Sequence, residues 1–148
     1  MAISFRHLLV PVDFGAPGQR AVDTAVALAE RFDAQITLVH VFEAPAYVYA
    51  GMVYATADLF APIEQAAREQ LDKKLAEVKT RVPNVRGDLR RGPAAQGILA
   101  AIEELHPDLV VMGTHGRKGV SHALIGSVAE KIVRMSPVPV LTIRDGAG

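Results

Sequence analysis

Short apolar runs alternate with segments of helical period along this chain, and that alternation narrows its possible folds more than any other feature. Leu8-Leu9-Val10-Pro11-Val12-Asp13 is a brief apolar run closed by an acid, and it reads as a buried strand. Pro11 has no N–H to give a neighbouring strand, so it belongs near the strand end. From Gln19 to Phe32, Val22, Val26 and Ala29 recur at helical spacing beside Ala25 and Leu28, and Pro17 suits the first turn. Gln35 to Phe42, with Ile36, Leu38, Val39 and Val41, reads as a second strand. Glu43 to Phe60 reads as a long connection that holds Pro45 and the tyrosines Tyr47, Tyr49 and Tyr54. Connections of that length usually carry function or move. The tyrosines could cover a ligand, pack at a subunit contact or seal the sheet.

Helical period returns with Ile63, Ala67, Leu71, Leu75, Val78 and Val82, and Glu64/Arg68 and Glu69/Lys73 are spaced for i,i+4 pairing. Asn84 to Arg91 is polar and weakly patterned, as an edge strand would be. Gly92-Pro93 opens a helix with Ile98, Leu99, Ile102 and Leu105 on one face, and His106-Pro107 stops it. Asp108 to Met112 is the most apolar strand, Gly126 to Met135 the last helix, and Val138 to Ile143 the last strand. Strands alternating with helices imply an α/β fold, a parallel sheet covered on both faces. Right-handed crossovers with one reversal give a three-layer, Rossmann-like sandwich with its five strands in the order 3-2-1-4-5. The expected organisation is a single domain over 1–148, with 145–148 as a frayed tail. Ligands of such sheets bind beyond the carboxyl ends of the strands where the order reverses. That brings Pro11, Val12 and Asp13 beside Met112 and Gly113.

Composition removes several kinds of chemistry. There are no cysteines, which excludes disulfides, thiolate metal sites and cysteine nucleophiles. Sixteen basic and sixteen acidic side chains cancel, so bulk charge gives no argument for nucleic acid or an anionic membrane. No signal-peptide pattern or membrane-length apolar run interrupts the chain, and a cytoplasmic location is the expectation.

The segment that carries chemistry is Val110-Val111-Met112-Gly113-Thr114-His115-Gly116-Arg117, followed by Ile125-Gly126-Ser127-Val128. Glycines let backbone N–H groups approach an anion closely, and a helix start adds unpaired N–H groups and partial positive charge. Together they make a phosphate site. The spacing is Gly113, two residues, Gly116, nine residues, then Gly126-Ser127. It fits neither a Walker A loop nor the dinucleotide fingerprint. Asp13 reads as a ligand neighbour or as the cap of a turn, and Ser127 as a helix cap, a phosphate contact or both. Arg117 and Lys118 either neutralise phosphate or are ordinary loop charges. His115 reads as a loop residue within reach of a phosphate, and His115 with His122 lacks the spacing of a metal motif. His40 reads as a strand-end histidine, and His7 and His106 as structural or solvated.

At these residues the chain resembles the universal stress protein family, in its ATP-binding branch. The resemblance runs from Phe5 to Ile143 through Val10-Pro11-Val12-Asp13, Leu38-Val39-His40-Val41, Asp108 to Gly116 and Pro137-Val138-Pro139-Val140-Leu141. It implies an adenine nucleotide alpha hydrolase-like fold and ATP as ligand, with Mg or Mn as candidate counter-ions. Pro11, Val12 and Asp13 would line the nucleoside, with Asp13 near the ribose and a metal, and Val41 would offer backbone to the adenine edge. Met112 and Gly113 would begin the phosphate loop and Gly116 would let it turn. Gly126, Ser127 and Val128 would present N–H groups and a hydroxyl to the phosphates. The resemblance also implies a homodimer paired through Val138 to Ile143. Gly15-Ala16-Pro17 departs from the family, which often has Ser or Thr there. The expected function is a nucleotide-dependent stress-response module rather than an enzyme, with no catalytic residue assigned. The alternatives are a slow ATPase or autophosphorylating protein using Ser121 or Ser127, and an interaction module independent of nucleotide.

Overall fold

A computed structural model describes residues 4–43, 56–115 and 125–144. Strand β1 (His7–Pro11) is central in a five-stranded parallel sheet. Helix α1 (Gln19–Phe32) and strand β2 (Gln35–Phe42) follow it, then helix α2 (Thr56–Lys79), strand β3 (Val85–Arg91) and helix α3 (Ala94–Leu105). Strand β4 (Leu109–Gly113), helix α4 (Ser127–Met135) and strand β5 (Val140–Ile143) complete the order β3-β2-β1-β4-β5, as the alternation predicts. Leu8 pairs with both Ile36 and Leu109, so the reversal lies between β1 and β4.

Period-two alternation splits the sheet's side chains between two cores. Leu8, Val10, Ile36, Leu38 and Val111 pack under α1 and α2, against Val22, Val26, Leu71 and Val78. Leu9, Val39, Val110 and Met112 pack under α3 and α4, against Ile98, Ile102 and Ile132. Because both faces are covered, the central strands are mostly apolar, with Thr37 and His40 the buried polar side chains of β2. The edge strand β3 keeps polar side chains, and its Gly87 lets α2 lie close: a Cβ there would be 2.7 Å from Leu75 Cδ1.

Several boundaries differ from the sequence expectation. Helix α2 begins at Thr56 rather than beyond Phe60, because its first turn precedes the apolar stripe that marks it in sequence. Pro17 lies in a separate 3-10 turn, Ala16–Gly18, ahead of α1. Asp108 is not in β4. Its Oδ2 accepts the backbone N–H groups of Arg6 (2.8 Å) and His7 (2.9 Å), and its own N–H donates to the His7 carbonyl at 2.8 Å. The ladder of β5 starts at Val140, since Pro139 has no donor and joins only through its carbonyl, which accepts Val110 N–H at 3.0 Å. His106 ends α3 in the left-handed region at φ 50°, just before Pro107. Among the described residues no helix is long and apolar enough to cross a membrane.

Candidate functional site

After β1 the chain turns to α1 on one face, and after β4 it leads to α4 on the other. The crevice between holds a cavity of about 320 Å³, a size suited to a small-molecule ligand. Pro11, Val12, Asp13 and Val41 line it, and so do Met112, Gly113, Gly126, Ser127 and Val128. Sequence reasoning therefore named residues that the fold gathers in one place. Gly116 falls outside the described residues, as do Arg117, Lys118, Ser121, His122 and the three tyrosines.

Four further apolar residues of the lining were not foreseen. Val39 of β2, Ala94 and Ile98 of α3, and Ala129 of α4 all reach the cavity. A stripe at helical spacing assigns Ile98 to the core, and Ile98 is indeed buried there while also lining the cavity. A usable signal was Gly97, since glycine inside a helix costs about 1 kcal/mol against alanine. A Cβ at Gly97 would sit 2.7 Å from Val41 Cγ2, so glycine lets α3 approach β2 here. Glu43 Oε1 accepts the Ala94 N–H at 3.2 Å at the start of α3. Toward the other end, Arg90 donates to Glu104 Oε2 at 2.6 Å and to Asp88. The Arg90 guanidinium holds the Glu104 carboxyl below its ordinary pKa.

Asp13 does two things at once. Its Oδ1 accepts the Gly15 N–H at 3.0 Å, closing the turn, while the residue lines the cavity. The next residue, Phe14, has φ 67°, a left-handed conformation costing a non-glycine residue about 1 kcal/mol or more. Its ring rests on His40, with centroids 4.4 Å apart. His40 is buried within β2 rather than at its end, and its Nδ1 lies 2.7 Å from the Val12 carbonyl. A carbonyl only accepts, so Nδ1 carries the proton.

Gly126, not Ser127, is the cap residue of α4, and no side chain bonds at that cap. The Gly126 N–H donates to the Thr114 carbonyl at 2.6 Å, so it is engaged within the protein. The expectation gives this N–H to a phosphate; here it is taken by Thr114, while Gly126 still lines the cavity. A Cβ on Gly126 would lie 3.0 Å from that same oxygen, so any larger residue there would push the backbone of Thr114 away. The first helical bond of α4 runs from Glu130 N–H to the Gly126 carbonyl at 2.9 Å. The N–H groups of Ser127, Val128 and Ala129 precede it and have no intrahelical partner, and all three residues line the cavity. At Gly113, by contrast, a Cβ would meet only ordinary contacts among the described residues, the nearest at 3.5 Å. Thr114 Oγ1 and His115 Nδ1 are 3.1 Å apart, and among the described residues the buried His115 Nε2 has no hydrogen-bond partner. Among the described residues no three ligating side chains converge to hold a metal ion.

The model of the Universal stress protein family matches residues 4–144. Universal stress protein A homolog 1 of Coxiella burnetii is 30% identical over 141 residues, 94% of this chain and 96% of that protein. A putative universal stress protein of Staphylococcus haemolyticus is 34% identical over 146 residues, 96% of this chain and 86% of its own length. Among solved structures, universal stress protein UspA from Lactobacillus plantarum has a TM-score of 0.81 at 25% identity, covering 97% of this chain and 100% of that one. Two more distant structures share the fold. One is a universal stress protein in complex with cAMP, with TM-score 0.70, 20% identity, and 97% and 99% of the two chains covered. The other is an Arabidopsis thaliana family protein with AMP bound, with TM-score 0.66, 18% identity, and 96% and 93% covered.

Proposed function

Because this chain belongs to the universal stress protein family, we propose that it is an adenine-nucleotide-binding regulatory module whose ligand is ATP and whose working form is a homodimer. One observation carries the reading: a cavity at the strand reversal joins an apolar lining to the N–H groups of a helix start that have no intrahelical partner. The apolar part, Val39, Val41, Ile98 and Met112, suits the faces of a base. The N–H groups of Ser127 and Val128 suit a phosphate, favoured by the partial positive charge of the α4 start. Packing among the described residues does not require glycine at Gly113, which fits a residue kept small for a ligand's approach. The two fold relatives solved with cAMP and with AMP agree with this ligand class.

Asp13 is the one carboxylate that the described residues bring to the cavity. A magnesium ion arriving with ATP would therefore be held chiefly by phosphate oxygens and water, with Asp13 as its protein neighbour. Calorimetric titration with ATP and magnesium tests the reading. One nucleotide per chain is expected, and no heat of binding up to millimolar nucleotide overturns it.

The dimer rests on the free edge of β5. Pro139 and Ile143 turn their carbonyls to β4, accepting from Val110 and Thr114. By alternation, Val140 and Thr142 turn their N–H and C=O groups outward. Both prolines thus leave the outer donors intact, although the Val138 N–H is taken by Ser136 Oγ at 3.1 Å. Leu141, Val133 and Met135 are exposed. Sedimentation should give a dimer that Thr142→Pro weakens, and a monomer at micromolar concentration contradicts it.

A further inference from the structure

We infer that His40 is a positioning residue that keeps the Val41 backbone available to read the base. The inference rests on the nucleotide reading above. Its starting point is the place where the β1–β2 ladder stops. Pro11 pairs with Val39, and one more bond follows, from Val12 N–H to the Val39 carbonyl at 2.8 Å. In a parallel ladder the next bond would run from Val41 N–H to the Val12 carbonyl. That carbonyl is held instead by His40 Nδ1 at 2.7 Å.

Strand alternation fixes what this leaves behind. Ile36 and Phe42 bond toward β3, through Asn84 and Gly92, and Val39 bonds toward β1. Val41 therefore turns its N–H and C=O toward β1, which has already ended at Pro11. Val41 lines the cavity at that point. A half-buried backbone pair without a strand partner needs water or a ligand to satisfy it. One donor beside one acceptor matches the adenine edge, which offers a ring nitrogen to accept and an amino group to donate. Hypoxanthine reverses both groups.

The ring of His40 is held for this task. It is buried, and Phe14, in its strained left-handed conformation, covers it. Replacing His40 with leucine removes the donor. The Val12 carbonyl is then free to take the Val41 N–H, and the base-reading pair loses its donor. Asparagine keeps an N–H donor close to the position of Nδ1.

The test compares ATP with inosine triphosphate by calorimetry on the full chain. The wild type should prefer ATP, His40→Leu should reduce that preference about tenfold, and His40→Asn should restore most of it. A wild type that binds both equally, or a His40→Leu protein that keeps the full preference, overturns the inference and leaves nucleotide binding standing. A wild type that binds neither overturns the nucleotide reading and the inference with it. Amide exchange on the wild type gives a readout that needs no variant. The Val41 N–H should exchange quickly in the free protein and slowly with ATP; protection already present without nucleotide overturns the inference.

Discussion

Strands β1 and β4 have two ends, and these solve the same problem in opposite ways. At the amino end, Asp108 takes up the Arg6 and His7 amides and returns its own N–H to His7, while His7 Nε2 meets Thr37 Oγ1 at 2.8 Å. The backbone there is answered from within the chain. At the carboxyl end, the ladder stops early, Phe14 is strained, and the first turn of α4 faces a cavity. One end of the sheet is closed within the chain, and the other leaves the donors of a helix start facing a cavity, where the proposed nucleotide would take them up. Sites of function commonly carry such local cost, offset by the rest of the fold.

The contrast can be broken from either side. The largest effect is expected at the carboxyl end. Gly126→Val would force a branched side chain against the Thr114 carbonyl, 3.0 Å from where its Cβ must sit. ATP affinity should fall about 100-fold or more, measured by calorimetry, because the loop and the helix start are pushed apart. Asp108→Ala is the counterpart at the amino end. It leaves two backbone donors without their carboxylate, so urea unfolding should report a loss of about 2 kcal/mol, moderated by exposure. ATP affinity should stay unchanged. If Asp108→Ala weakens binding as much as Gly126→Val does, the division between the two ends is wrong.

The smallest effect is a dependence on pH at His7. Burial pushes its pKa below the ordinary value, opposed by Asp108 and reinforced by Arg86. The unfolded chain therefore takes up the proton first as pH falls. The stability that neutral His7 permits is full above about pH 6.5 and is lost as pH falls through the lower folded value. Urea midpoints should drop between pH 7.5 and pH 5.5, and His7→Gln should flatten that drop. An equal slope in the variant removes His7 as its source.

Much of this was legible in the sequence because it depends on local pattern. Buried strands announce themselves by apolar runs, and the reversal between β1 and β4 follows from chain order, so Asp13 and Gly113 could be placed together in advance. What escaped the sequence depends on which atoms meet across elements. Ile98 looks like any core residue until α3 is seen to approach β2 at Gly97. The Gly126 N–H looks available in sequence because a helix start has free donors, but the Thr114 carbonyl takes it. His40 gave no sign of its hold on Val12, a contact across 28 positions of sequence.

Amide chemical-shift mapping during an ATP titration tests the central claim most directly, because it views both ends at once. The amides of Val41, Gly113, Ser127 and Val128 should move to saturation together, while those of Arg6, His7 and Asp108 stay in place. No shift at millimolar ATP, or shifts centred on the amino end, would contradict the account.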